Sequence, residues 1–179
     1  MDTAVWVAAL TGATAILASW VTNRGNARAA RIQANAAADT QRRSEQRDSR
    51  RTAYLDLIER VHEMAEFYWV VSDTLKLQDP GERRAARKEL LIRERQEYAR
   101  FRRCVRLIDL EGPPQAAEAA RELREHARSF WVALRALADD AVTGEELAAA
   151  EREFQECYGP YWEAFERFIQ VAREVLRTT

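Results

Sequence analysis

The chain has 179 residues, with 28 Lys and Arg against 29 Asp and Glu and a formal net charge of −1. Its 6 Gly and 4 Pro are too few for an all-β fold rich in turns, while abundant Ala, Arg, Glu and Leu point to helices. Near neutrality excludes a globally basic nucleic-acid binder. Two cysteines, Cys104 and Cys157, cannot build a disulfide framework or a closed zinc site.

From Thr3 to Thr22 no residue is charged. A helix of that length reaches roughly 30 Å, the thickness of a bilayer's hydrocarbon core. Trp6 and Trp20 stand near its two ends, where indoles favour the lipid–water interface. Asp2 precedes the run, and Arg24, Arg28 and Arg31 follow it. The positive-inside rule then puts the N-terminus outside and the bulk of the chain in the cytoplasm. Met1-Asp2-Thr3 lacks the basic start of a secretory signal peptide, so residues 1–22 are expected to remain as a single-pass anchor in the cell membrane. Within it Ala8, Gly12, Ala15 and Ser19 share one face. Small residues let helix backbones approach closely in lipid, which makes that face the expected contact of a homo-oligomer.

Residues 23–51 carry eight arginines and one large apolar side chain, Ile32, so they cannot bury a core by themselves. Their Ala, Gln and Arg are strong helix formers. The composition predicts a basic helical stalk, with Gly25-Asn26 a candidate hinge.

Beyond Arg51 the helical period is clear. One stripe runs through Tyr54, Leu57, Ile58, Val61, Ala65, Tyr68, Val71 and Leu75, and Asp79-Pro80-Gly81 ends it. A second takes Leu91, Tyr98, Phe101, Val105 and Ile108 up to Gly112-Pro113-Pro114. A third takes Ala116, Ala120, Leu123, Ala127, Phe130, Leu134 and Leu137. Thr143 and Glu146 match a capping box that opens a fourth, through Leu147, Phe154, Tyr158, Tyr161, Phe165, Phe168, Val171 and Val175. Gly159-Pro160 should kink that helix. Four amphipathic helices on short connections predict an all-α fold, an antiparallel up-and-down bundle over residues 52–179 packed in the manner of a coiled coil. The second helix is basic and its neighbours in sequence acidic, so ion pairs are expected across the seams. Trp69, Trp131 and Trp162 fall at stripe edges. They cover seams or shape a groove for a partner.

For chemistry, Glu59 and His62 form one E-x-x-H on a helix, but a di-iron bundle needs two. Glu122, Glu125 and His126 on the third helix do not supply the second. No phosphate-cradling Gly-rich loop, nucleophile elbow or Cys-x-x-Cys occurs. The arginines of residues 83–106 are diluted by Glu82, Glu89, Glu94 and Glu97, so nucleic acid is not expected as a partner. No catalytic residue, metal or cofactor is therefore assigned. The two cysteines are expected to be small core residues.

The anchor beginning Val5-Trp6-Val7-Ala8-Ala9-Leu10, its Arg-rich flank and the helices after it resemble in layout the small single-span membrane proteins of actinobacteria. That resemblance implies an arrangement and no activity. The expected function is a membrane-anchored, non-enzymatic helical scaffold or adaptor that binds a protein partner or itself at the cytoplasmic face. The alternative is an oligomeric pore or membrane-perturbing effector of a defence or stress system.

Overall fold

The structure is a computed structural model that describes residues 2–178, the side chains of residues 2–18, 21 and 27 excepted. The described residues form five helices: α1 Asp2–Leu75, α2 Pro80–Glu111, α3 Pro114–Leu137, α4 Gly144–Glu156 and α5 Tyr158–Thr178. The chain divides into two compact units, Met1–Glu45 and Gln46–Thr179.

In the first unit the helix runs through Gly25 without a break, so the candidate hinge is not one. Every side chain described between residues 19 and 45 is exposed, Ser19 and the interfacial candidates Arg24, Arg28 and Arg31 included. Local pairs line the surface: Arg24 lies over the Trp20 ring at 4.8 Å, and Gln41 donates to Glu45 at 2.9 Å. Among the described residues no helix is long and apolar enough to cross a membrane. Most of the Thr3–Thr22 run, with Trp6, Ala8, Gly12 and Ala15, lies outside the described side chains.

The second unit packs four helices against each other, with α4 and α5 together forming the fourth. Long-range contacts fix an antiparallel order. Arg50 donates to the Glu111 carbonyl at 2.8 Å, and Arg121 pairs with Asp109 at 2.9 Å. Arg167 pairs with Glu122 at 2.6 Å, and Arg47 donates to the Leu176 carbonyl at 3.1 Å. Arg47 and Arg50 thus supply donors to the last carbonyls of α5 and α2, which have no partner within their own helices.

At the centre Tyr68 stacks on Phe130, with ring centroids 3.9 Å apart. Phe154 and Tyr161 pack edge-on against both. Two of the three buried phenols are satisfied across the core: Tyr68 donates to the Ala127 carbonyl and Tyr161 to the Val61 carbonyl, each at 3.3 Å, while the Tyr54 hydroxyl has no partner among the described residues.

The caps show where local rules held and where they gave way. Asp79 caps α2 by accepting from the Gly81 N–H at 2.9 Å, with Pro80 in the first turn, where its missing donor is harmless. Thr143 takes the N-cap position of α4, but its side chain makes no capping bond, so the expected capping box does not form. Gly144 follows it at a φ of +59°, a left-handed conformation that an added Cβ would strain. The last helix breaks at Cys157, one turn before the expected kink. Pro160 has no N–H, and its ring clashes with the carbonyl four residues back, that of Glu156, where α4 stops.

Gly112 closes α2 by donating to the Ile108 carbonyl at 2.8 Å. A Cβ there would stand 2.7 Å from that same oxygen and 3.4 Å from the Tyr54 hydroxyl. Backbone cannot yield as a side-chain tip does. Gly112→Ala should therefore destabilise the fold by about 2 kcal/mol, read as a lower urea midpoint at unchanged m-value. An unchanged midpoint would mean that the α2–α3 connection has room to shift.

Candidate functional site

The basic α2 does not pair with its neighbours as its net charge suggests. Arg60 of α1 reaches Glu97 of α2 at 3.5 Å, and Arg121 of α3 reaches Asp109 of α2, so in both seams α2 supplies the acid. The α2 cations go elsewhere. Arg84 and Lys88 share Asp140, and Arg93 lies over the Phe67 ring at 5.6 Å. Arg87, only 4% exposed, pairs with Glu151 at 2.6 Å and donates to the Leu137 carbonyl at 3.4 Å.

The buried positions of α2 are Arg87, Leu90, Glu94, Phe101, Val105 and Ile108, with half-buried Tyr98 between them. Their spacing of three and four is that of a core stripe, and Glu94 occupies a slot that should be apolar. It is fully buried, and neither carboxylate oxygen has a hydrogen-bond partner among the described residues. Burial raises its pKa to about 7, with Arg95 opposing the shift. An unpaired carboxyl in a core is costly and does nothing to hold the helices together.

Glu94 forms part of the wall of a cavity of about 550 Å³ between α2 and α3. From α2 come Arg95, Tyr98 and Arg102, and from α3 come Arg124, Glu125, Arg128 and Trp131. Each set repeats at helical spacing, so each presents one face to the cavity. Glu125 ties the α3 cations together, 3.0 Å from Arg124 and 3.6 Å from Arg128. Arg124 holds its carboxyl below the usual range. Arg95 and Arg102 make no ion pair among the described residues. Tyr98 stacks on Phe101 at 6.2 Å, and Arg135 covers one side of Trp131 at 5.7 Å.

The three tryptophans proposed as one groove do not meet. Trp131 belongs to the α2–α3 cavity. Trp162 packs on Phe165 and against His62 of α1, at 5.5 and 6.1 Å. Trp69, 58% exposed, lies against Tyr158 at 5.6 Å. The last two therefore follow the α1–α5 seam, while the first lies between the other pair of helices. Stripe edges on different helices face different seams, and a single sequence pattern cannot tell which.

The remaining candidates are also placed. His62 lies edge-on to Phe165 at 5.3 Å, and no group of three metal-ligating side chains occurs among the described residues. Cys104 and Cys157 are free and half-buried. The Cys157 thiol donates to the Glu153 carbonyl at 3.2 Å, and burial lifts its pKa to about 11. It is a poor nucleophile at neutral pH. A second cavity, of about 640 Å³, lies between α3 and the α4–α5 break and takes in His126, Cys157 and Pro160.

No protein-family model, curated protein or solved structure matches this chain, so the disposition of its own side chains carries the functional reading.

Proposed function

We propose that the chain is a membrane-tethered helical adaptor: an N-terminal anchor, an exposed helical spacer, and a bundle that binds a protein partner or a second copy at the cytoplasmic face. It works by binding, without catalysis. The observation that supports this reading is the stretch from residue 19 to 45, which is helical and buries none of its described side chains. A helix polar on every side has no use as a core element. Its ordinary use is to bridge between parts of a molecule. The uncharged Thr3–Thr22 run supplies a fitting anchor before it, and the arginines that follow favour an anionic cytoplasmic leaflet at about 1 kcal/mol each.

The test is fractionation and labelling of the full-length protein in cells. Alkaline carbonate should leave it in the membrane pellet. With the native cysteines replaced, Asp2→Cys should react with an impermeant maleimide from outside, while Arg51→Cys should react only after permeabilisation. Full-length chain in the carbonate supernatant would end the anchor reading, and the reverse labelling pattern would end the cytoplasmic placement.

A further inference from the structure

The mouth of the α2–α3 cavity carries more positive charge than it balances. Glu125 serves Arg124 and Arg128, whereas Arg95 and Arg102 are exposed and make no ion pair among the described residues. Those two stand seven residues apart on α2, which is two turns and roughly 10 Å along the axis. Tyr98 and Trp131 supply ring surface in the same groove.

The opposite pattern stands on α1. Glu59 and Glu66 are also seven residues apart, are exposed, and make no ion pair among the described residues. The cation nearest to them in sequence, Arg60, turns to Glu63 and Glu97 instead. Helical spacing puts both acids on one face with Leu55 and Val70, two apolar side chains left exposed. This part of α1 meets α2 through Arg60 and Glu97, and α5 through the Tyr161 hydroxyl on the Val61 carbonyl. Its acidic face therefore points out of the bundle, and the groove lies between two other helices. Within one chain the two surfaces cannot meet.

Two exposed ion pairs hold little by themselves. What favours docking is that acids and bases match in spacing on helices that are already formed, with apolar side chains beside both pairs to exclude water. An unrelated acidic peptide would have to reproduce that spacing, whereas every copy of this chain carries it.

We propose that the α2–α3 groove docks the outer face of α1 from a second copy, Arg95 and Arg102 taking Glu59 and Glu66. The docked copy keeps its own groove free, so the contact repeats head to tail and does not close on itself. This deepens the adaptor reading, on which it rests for the choice of a second copy at the cytoplasmic face.

The experiment is sedimentation velocity of the full chain in mild detergent, at rising protein concentration and at two salt levels. At low salt the wild type should grow steadily in size with concentration. High salt should weaken the contact at least ~10-fold, because it screens exposed charges. Arg95→Glu with Arg102→Glu should weaken association ~100-fold by setting like charges opposite each other, and so should Glu59→Lys with Glu66→Lys. Mixing the two variants should restore it, since each then presents the charge that the other needs. Arg173→Glu, exposed on α5, changes charge away from both surfaces and should leave association as it was. Melting curves check that each variant is folded, and Arg102→Glu alone, with an expected loss of ~10-fold, serves if the double variant loses its transition. A monomeric wild type, a particle that stops at a closed dimer, or oligomers that survive both reversals and high salt would each overturn the proposal. A monomer that binds polyglutamate through Arg95 and Arg102 would give the groove to a different acidic protein and overturn it as well. None of these results touches the anchor, which carbonate extraction reads separately.

Discussion

Replacing Phe130 by alanine should lower the stability of the bundle by about 4 kcal/mol, the largest loss expected from any single truncation here. The ring is fully buried and makes a parallel stack with Tyr68 and edge contacts with Phe154, Tyr158 and Tyr161. Three helices besides its own therefore contribute an aromatic side chain to its surroundings. Removing it takes away apolar burial and leaves a hole that stiff rings on three helices cannot close. Urea unfolding at 25 °C reads the effect as a fall in midpoint. Val132→Ala, two residues on and 51% exposed, is the control and should change stability by no more than about 0.5 kcal/mol. Equal losses for both would place the wrong face of α3 in the core.

Glu94→Met should have the opposite sign. An ordinary glutamate titrates near 4.5 and the buried one near 7, so between those values the folded state binds more protons than the unfolded. Stability then falls as pH rises through that window, and above pH 7 the full cost of ionising the buried group is felt. The shift corresponds to about 3 kcal/mol. Methionine fills a similar volume without the charge. The variant should therefore gain about 3 kcal/mol more at pH 8 than at pH 4, equivalent to about 10 °C in melting temperature. Thermal melts of both proteins across that range decide it. A gain independent of pH would show that Glu94 is already neutral or already paired.

Much of the bundle is legible in the residue pattern, because burial on a helix leaves a periodic trace. The third stripe from Ala116 to Leu137 is buried as its spacing predicts, and so are Tyr161, Phe165 and Phe168 in the fourth. Pro160 announces a break, though its ring acts on the carbonyl a turn earlier. The site is far less legible. Glu94 reads as one of several acids diluting an arginine-rich helix, yet it falls between Leu91 and Tyr98 where the stripe calls for an apolar residue. A polar residue in register with a core stripe was the available signal. Met64 and Phe67 were missed for a different reason: the buried face of α1 is wider than one stripe, because three helices pack around it. Ion pairs cross the seams as expected, and Arg84, Arg87 and Lys88 find acids at Asp140 and Glu151. At Arg60–Glu97 and Arg121–Asp109, however, it is α2 that supplies the acid, because ion pairs depend on which side chains meet at a seam. The net charge of each helix says nothing about that.

The core aromatics are tyrosine and phenylalanine, whereas Trp69, Trp131 and Trp162 all sit at the periphery of the bundle. Emission from these three residues is consequently a report on the surface of the bundle. Trp69, already in water, should emit at long wavelength in the native state and change little when the core melts. Trp131 lines the α2–α3 cavity and should change its emission when a solute enters it. The cooperative loss of the Tyr68–Phe130 stack is best followed in the near-ultraviolet circular dichroism of tyrosine. Emission and dichroism would then separate two events, occupancy of the cavity and collapse of the interior, without any added dye.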